Sequence, residues 1–223
     1  MEDQLVKQLS ARADHLVSVL DVAPVVGDVI AGRATAAVYH RFLRGTYQYV
    51  RASGHLLALT AAGLRLRDRH LSLAELLTAK SGEEGAHDRW ALADLAACGG
   101  DVDAALCAPV PRAVRAYVSW SEAMAEDGSP AYLGAAYMLE GIACRRAGMA
   151  ARRLRGAACI PHVAEALTFL EEHGEADVGH VATLERALRG IDDDDDRAAI
   201  LLAADVLASL YPRFFAGAGG DAP

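Results

Sequence analysis

The sequence predicts an all-α protein, and three observations support this fold class. Hydrophobic residues make up 53% of the 223 residues but aromatic residues only 6%, so the apolar content is mainly Ala, Leu and Val. This composition favours closely packed helices over strands, which are enriched in aromatic and β-branched residues. Apolar residues also recur at helical spacing, and no run of about four to eight residues alternates convincingly as a strand does.

The first three predicted helices are separated by glycine and proline. The first covers 2–20 and ends before "DVAPVVGD", in which proline and glycine interrupt a helix. The second covers 34–66 and carries apolar residues at helical spacing over its whole length. The third covers 72–98 and stops at two consecutive glycines.

The remaining four predicted helices begin or end at similar signals. The helix 110–127 ends at "DGSP", and Pro130 suits the first turn of a helix that runs into the 140s. Pro161 opens a further helix that runs to about 189. Five aspartates, 192–196, place negative charge at the N-terminal end of the last helix, about 196–211, where the helix dipole is positive.

These boundaries predict a single-domain, up-and-down bundle of about seven helices. A chain of this length can bury one sizeable core. We divide it into an N-terminal helix and turn (1–33), a helical-bundle domain that carries the candidate metal ligands described below (34–215), and a flexible tail (216–223).

Charge and hydropathy exclude several classes of partner. The net charge of −8 argues against nucleic acid, which requires a basic surface. No apolar run approaches the ~20 residues of a membrane span, and the first residues lack the regions of a signal peptide. We expect a soluble cytoplasmic protein. None of the four cysteines belongs to a CxxC motif, so neither a zinc ribbon nor a dithiol redox site is indicated.

One short segment, "EEHGEADVGH" at 171–180, is rich in potential metal ligands. His173, Asp177 and His180 stand at i, i+4 and i+7. At about 3.6 residues per turn, these positions form one stripe on one face of a helix. Two imidazoles and a carboxylate on one stripe are typical of a metal site, although a solvated polar surface would show the same pattern.

Two other segments offer ligands that could join this stripe. Glu84 and His87 stand at i and i+3, the spacing found in di-iron bundles, although an acidic helix start would also explain Glu84. Glu140 lies in the apolar run "YMLEGIA", where a carboxylate is costly unless it is paired or bound to a cation. Arg145 or Arg146 could instead pair with it.

Together the three segments offer three imidazoles and three carboxylates. Nitrogen and oxygen donors without thiolate suit iron or manganese better than structural zinc. This number of donors is too large for one open catalytic ion and nearly right for two.

The order of an ExxH, a mid-chain "LEG" and an HxxxDxxH resembles the haem-oxygenase-like di-iron oxidases and oxygenases. These iron-containing redox enzymes share a seven-helix fold with haem oxygenase, TenA and PqqC. The resemblance covers about residues 42–211. It implies two bound iron ions, O2 as co-substrate and oxidation of a small organic substrate, often in natural-product biosynthesis. The ligands that it implies are Glu84, His87, Glu140, His173, Asp177 and His180.

The sequence departs from this family at two places. The family usually supplies a further carboxylate from the first core helix, but no Asp or Glu occurs between Asp28 and Asp68. His40 or His55 could substitute for it. Lys80 occupies a position at which we would expect histidine. Both departures put the second metal site in doubt.

The leading hypothesis is therefore a non-haem iron, O2-dependent oxidase or oxygenase with two ions expected, and with a homodimer as the default assembly. The alternative is a metal-deficient binding or accessory protein on the same fold, in which Lys80 neutralises the acidic cluster. A TenA-like hydrolase would need a cysteine in the pocket. Haem oxygenase would need a proximal histidine near the start of the chain, where only His15 occurs.

Overall fold

The computed structural model describes residues 3–216, apart from the side chains of residues 175–178. Every regular element in this part of the chain is helical, which confirms the all-α prediction. The ten α-helices are α1 Gln4–Leu20, α2 Val26–Ala31, α3 Ala36–Leu66, α4 Leu71–Glu84, α5 His87–Ala97, α6 Val102–Cys107, α7 Arg112–Glu126, α8 Tyr132–Leu154, α9 Thr168–Leu188 and α10 Asp194–Leu210. Two 3-10 turns cover Val163–Glu165 and Tyr211–Arg213.

The prediction of about seven helices was wrong in number, for two reasons. The predicted helix 72–98 is divided into α4 and α5 at Gly85, because glycine is a poor helix former. Two helices of six residues, α2 and α6, form in segments that we predicted as connections. The helix expected from Pro161 begins only at Thr168, after a 3-10 turn.

The bundle is organised around α3 and α8. Helices α4, α5 and α7 pack against α3, whereas α1, α2, α9 and α10 pack against α8. The first two turns of α8, from Tyr132 to Met138, are buried throughout. Because α3 and α8 also contact each other, side chains from the two groups of helices meet inside the bundle. The domain boundary at 33 stays a prediction, and residues 217–223 of the predicted tail lie outside the described residues.

Glycines allow two helices to approach α8 closely. A Cβ atom at Gly134 would lie 1.9 Å from the carbonyl oxygen of Ile200 in α10. A Cβ atom at Gly174 of α9 would lie 2.7 Å from the backbone nitrogen of Gly148 in α8. The second contact brings α9, and therefore the histidine stripe, against α8. Within the described residues, we find no helix with the length and apolar character needed to cross a membrane.

Candidate metal centre

Five of the six predicted ligands lie together in the interior, on four helices. They form two groups that share Glu84, and the ligand-type atoms within each group lie within 4.8 Å of one another. We call Glu84, His87 and His173 the histidine-rich group, and Glu84, Glu140 and His180 the carboxylate-rich group. The side chain of the sixth, Asp177, lies outside the described residues.

In the histidine-rich group, both imidazoles present a nitrogen suited to a metal ion. Nδ1 of His87 lies 3.0 Å from Oε2 of Glu84, yet it is buried and makes no hydrogen bond of good geometry to any described atom. Nδ1 of His173 donates a hydrogen bond to the carbonyl oxygen of Phe169, at 2.8 Å. A carbonyl can only accept, so this bond fixes the proton on Nδ1 and leaves the lone pair on Nε2 for an ion.

Burial favours the neutral form of His173, and aromatic contacts hold both imidazoles in place. Burial lowers the pKa of His173 below its usual value, and the neighbouring His87 lowers it further. A neutral imidazole is the form that binds metals. The His87 ring stacks on Trp90 with centroids 4.1 Å apart and meets the edge of the His173 ring at 5.0 Å, so both rings have defined orientations.

The carboxylate-rich group is arranged differently, because its carboxylates already face positive charge. Oε2 of Glu140 lies 3.4 Å from Nδ1 of His180. This contact with Glu140 raises the pKa of His180 above its usual value, in spite of partial burial. An ion that bound His180 at this nitrogen would have to displace a proton that Glu140 favours.

Lys80 completes the arrangement and is itself almost wholly buried, with 4% of its surface exposed. Its Nζ lies 3.3 Å from Oε1 of Glu140 and 3.9 Å from Oε1 of Glu84. The salt-bridge interpretation of Glu140 therefore holds, but with a different partner from the arginines considered. Arg145 pairs with Asp14 and Arg146 with Asp21, each at 2.7 Å.

Neither proposed substitute for the missing carboxylate reaches the centre. Nε2 of His40 contacts the carbonyl oxygen of Cys98 at 3.1 Å, and His55 pairs with Glu122 at 3.3 Å near the surface. From α3, only apolar, phenolic and hydroxyl side chains, among them Tyr49 and Ser53, line the cavity next to the ligands. In the described part of the chain, α3 therefore adds no carboxylate or imidazole to the centre.

A cavity of about 100 Å³ adjoins the cluster. The charged and imidazole side chains that line it are Lys80, Glu84, Glu140, Arg146 and His173, and apolar side chains form most of the rest of its wall. The apolar part includes Val26, Ile30, Leu139, Ala143 and Leu170. Such a space, apolar with a few convergent polar groups, is typical of a small-molecule site.

Phenol groups add hydrogen-bonding capacity to this cavity. Tyr49, Tyr132 and Tyr211 line it. Burial raises the pKa of Tyr132 and of Tyr211 to about 12, so both keep their protons at neutral pH. The hydroxyl groups of Tyr49 and Tyr211 lie 3.2 Å apart, and Tyr117 donates to Tyr132 at 3.3 Å. Tyr47, which we could not separate from Tyr49 by sequence, is not among the residues that line the cavity.

Asp94 of α5 fixes the start of α9, and we did not single it out from the sequence. Asp94 is 1% exposed, and its carboxylate accepts hydrogen bonds from the backbone N–H groups of Thr168 and Phe169, at 3.0 and 2.8 Å. It thus caps a helix to which it does not belong. Burial raises its pKa. The signal was present, since Asp94 is a carboxylate in an apolar run, as Glu140 is.

Comparison with known proteins identifies the family. Residues 40–211 match the sequence profile of a family described as iron-containing redox enzymes. The chain belongs to this family. The match covers most of the chain and agrees with the resemblance found from the motifs. No curated protein matches the sequence.

Solved structures confirm the fold. A domain of unknown function with a haem oxygenase-like fold from Shewanella denitrificans shares 20% identity over 96% of this chain and 91% of that chain, with a TM-score of 0.81. A TenA homolog from Pseudomonas syringae pv. tomato shares 14% identity over 95% and 92%, with a TM-score of 0.67. At these identities the likeness concerns the fold alone.

Proposed function

We propose that this protein is a non-haem iron oxidoreductase that uses O2 to oxidise a small, largely apolar organic molecule. The observation that carries the proposal is the interior cluster of three imidazoles and two carboxylates beside an apolar cavity. Nitrogen and oxygen donors without thiolate fit iron. Nδ1 of His87 also supports the fit, since it is buried 3.0 Å from Oε2 of Glu84 without a hydrogen bond of good geometry.

The side chains around the cavity have distinct tasks in this proposal. Glu84, His87 and His173 hold the ion, and ferrous iron, when bound, supplies one-electron chemistry toward O2. The apolar wall keeps water away from the reacting molecule. Phenol hydroxyls such as that of Tyr132 donate hydrogen bonds to a polar group of the substrate and so orient it.

Metal analysis after anaerobic reconstitution with ferrous iron tests the proposal. Wild-type protein should retain iron after desalting, and His173→Ala should lose it because the ion loses a ligand. His15→Ala is the matched control, since His15 is exposed on α1 and should leave iron binding unchanged. Oxygen consumption with a panel of small apolar amines and carboxylic acids then tests turnover. Absence of iron from the wild type would overturn the proposal.

A second candidate, a metal-free binding protein, has one observation in its favour. The Lys80 ammonium already faces Glu140 and Glu84 and could balance their charge without any ion. In that case the cavity would still bind a small molecule, but wild-type protein would retain no iron and consume no O2. The same reconstitution experiment therefore separates the two candidates.

Two other activities on this fold lack the residues that they need. A hydrolase with a cysteine nucleophile requires a thiol in the cavity, and no cysteine is among the residues that line it. Cys98 is buried, and burial raises its pKa to about 11, so its thiolate is disfavoured. A haem-binding histidine near the start of the chain is also missing, because His15 is exposed to solvent.

A further inference from the structure

Lys80 contacts both described carboxylates of the centre, in each case through the Oε1 atom. Its Nζ faces Oε1 of Glu140 at 3.3 Å and Oε1 of Glu84 at 3.9 Å. Oε2 of each carboxylate faces a histidine instead, His180 for Glu140 and His87 for Glu84. The ammonium thus lies within the carboxylate-rich group. It meets the histidine-rich group only through the more distant of its two contacts.

Solvent screens the charges of Lys80, Glu84 and Glu140 only weakly, because all three side chains are largely buried. The side chain of Lys80 is 5% exposed and those of Glu84 and Glu140 are each 11% exposed. A divalent ion bound between these carboxylates would have the ammonium as a close neighbour, and like charges repel strongly in a poorly hydrated site. The histidine-rich group is affected less, because Lys80 contacts only one of its donors, Glu84, and at the longer distance of 3.9 Å.

We propose that Lys80 replaces one of two metal ions, so that the centre binds a single iron in the histidine-rich group. The ammonium then supplies the positive charge that a second ion would bring, and it keeps Glu84 and Glu140 together before any iron arrives. This inference rests on the proposed function, since it presupposes an iron site.

Anaerobic equilibrium dialysis against ferrous iron, followed by elemental analysis, tests the inference. Wild-type protein should bind one iron per chain, and Lys80→Ala should bind two, because the substitution removes the competing charge and opens space between the carboxylates. The matched control is Lys7→Ala. Lys7 is the other lysine of the chain and is exposed on α1, so this variant should bind one iron, as wild type does.

The possible results distinguish failure of the role given to Lys80 from failure of the proposed iron site. One iron in both wild type and Lys80→Ala would overturn the role of Lys80 and leave the iron site standing, and two in wild type would do the same. No iron in either protein would overturn the iron site and the inference together. Iron bound by Lys80→Ala alone would mean that the ammonium excludes both ions, and would overturn the single-iron centre.

A second variant and a second readout cover the case in which Lys80→Ala does not fold. Lys80→Gln removes the charge but keeps most of the volume, and it should also take up a second ion. Mn2+ serves as a paramagnetic probe that needs no turnover. We expect the spectrum of an isolated ion from wild type and that of a magnetically coupled pair from the variant. Isolated ions in both would count against the inference.

Discussion

The two donor groups of the centre share Glu84 yet differ in what already faces them. In the histidine-rich group, burial lowers the pKa of His173, and the one carboxylate, Glu84, faces His87 at 3.0 Å and Lys80 only at 3.9 Å. In the carboxylate-rich group, Glu140 raises the pKa of His180 and Lys80 contacts both carboxylates. The group with more negative charge is therefore the one that is already neutralised. Donor type alone does not define an ion site, because the charge that the protein supplies also counts.

The largest difference in iron affinity is expected between two histidine substitutions. His87→Ala should lower iron affinity by more than about 100-fold, which exceeds the usual effect of losing an outer-shell partner. His180→Ala should lower it by less than about 10-fold if iron occupies the histidine-rich group. Competition with a chelator under anaerobic conditions measures both. Equal losses would remove the distinction between the two groups.

A second effect, on stability rather than on iron affinity, should follow from replacing Glu140 while every imidazole of the centre is kept. Glu140→Gln leaves Lys80 with one carboxylate at 3.9 Å, and removing one partner of a buried ion pair costs about 3 kcal/mol or more. Urea unfolding of the metal-free protein measures this loss. Glu122→Gln is the control, because Glu122 pairs with His55 near the surface, and it should change stability by less than about 1 kcal/mol.

The smallest effect is expected from a glycine that serves both groups. Gly174→Ala would place a Cβ atom 2.7 Å from the backbone of Gly148, and relief of this overlap should cost about 1–3 kcal/mol. The shift of α9 should also weaken iron binding, since α9 carries His173. Thermal unfolding and iron dialysis measure the two consequences.

A second glycine on the same helix provides the control. No atom of the described residues lies within 4 Å of a Cβ built on Gly179, so Gly179→Ala should raise helix stability by about 0.5–1 kcal/mol. A loss of stability in Gly179→Ala as large as that in Gly174→Ala would show that the helix itself, and not its contact with α8, is sensitive.

Sequence reasoning brought the donors together because it depended on local patterns. The helical period places His173 and His180 on one stripe, and a carboxylate among apolar residues indicates burial, as Glu140 shows. The partner of Glu140 could not be found in this way. Lys80 stands one turn before Glu84, a spacing that reads as an ordinary exposed pair, and only the tertiary structure brings Glu140 of α8 within 3.3 Å of it.

Helix geometry explains why neither of the two predicted arginines pairs with Glu140. Arg145 and Arg146 follow Glu140 by five and six residues, which turns them about 140° and about 120° away from it around the helix axis. They point to Asp14 and Asp21 near α1 instead. The division of 72–98 into two helices could not be predicted either, since one glycine does not always end a helix.

The hydrogen bonds between Asp94 and the start of α9 also predict when, during folding, the metal centre forms. Asp94 and Thr168 are 74 positions apart in sequence, so their contact closes a long loop and should form late. Asp94→Asn should then speed unfolding more than it slows refolding, which stopped-flow kinetics can measure. Before the cap forms, the first turn of α9 lacks these hydrogen-bond acceptors, and we expect His173 to lack a fixed position. We therefore expect iron to bind after the chain has folded, rather than to act as the nucleus around which it folds.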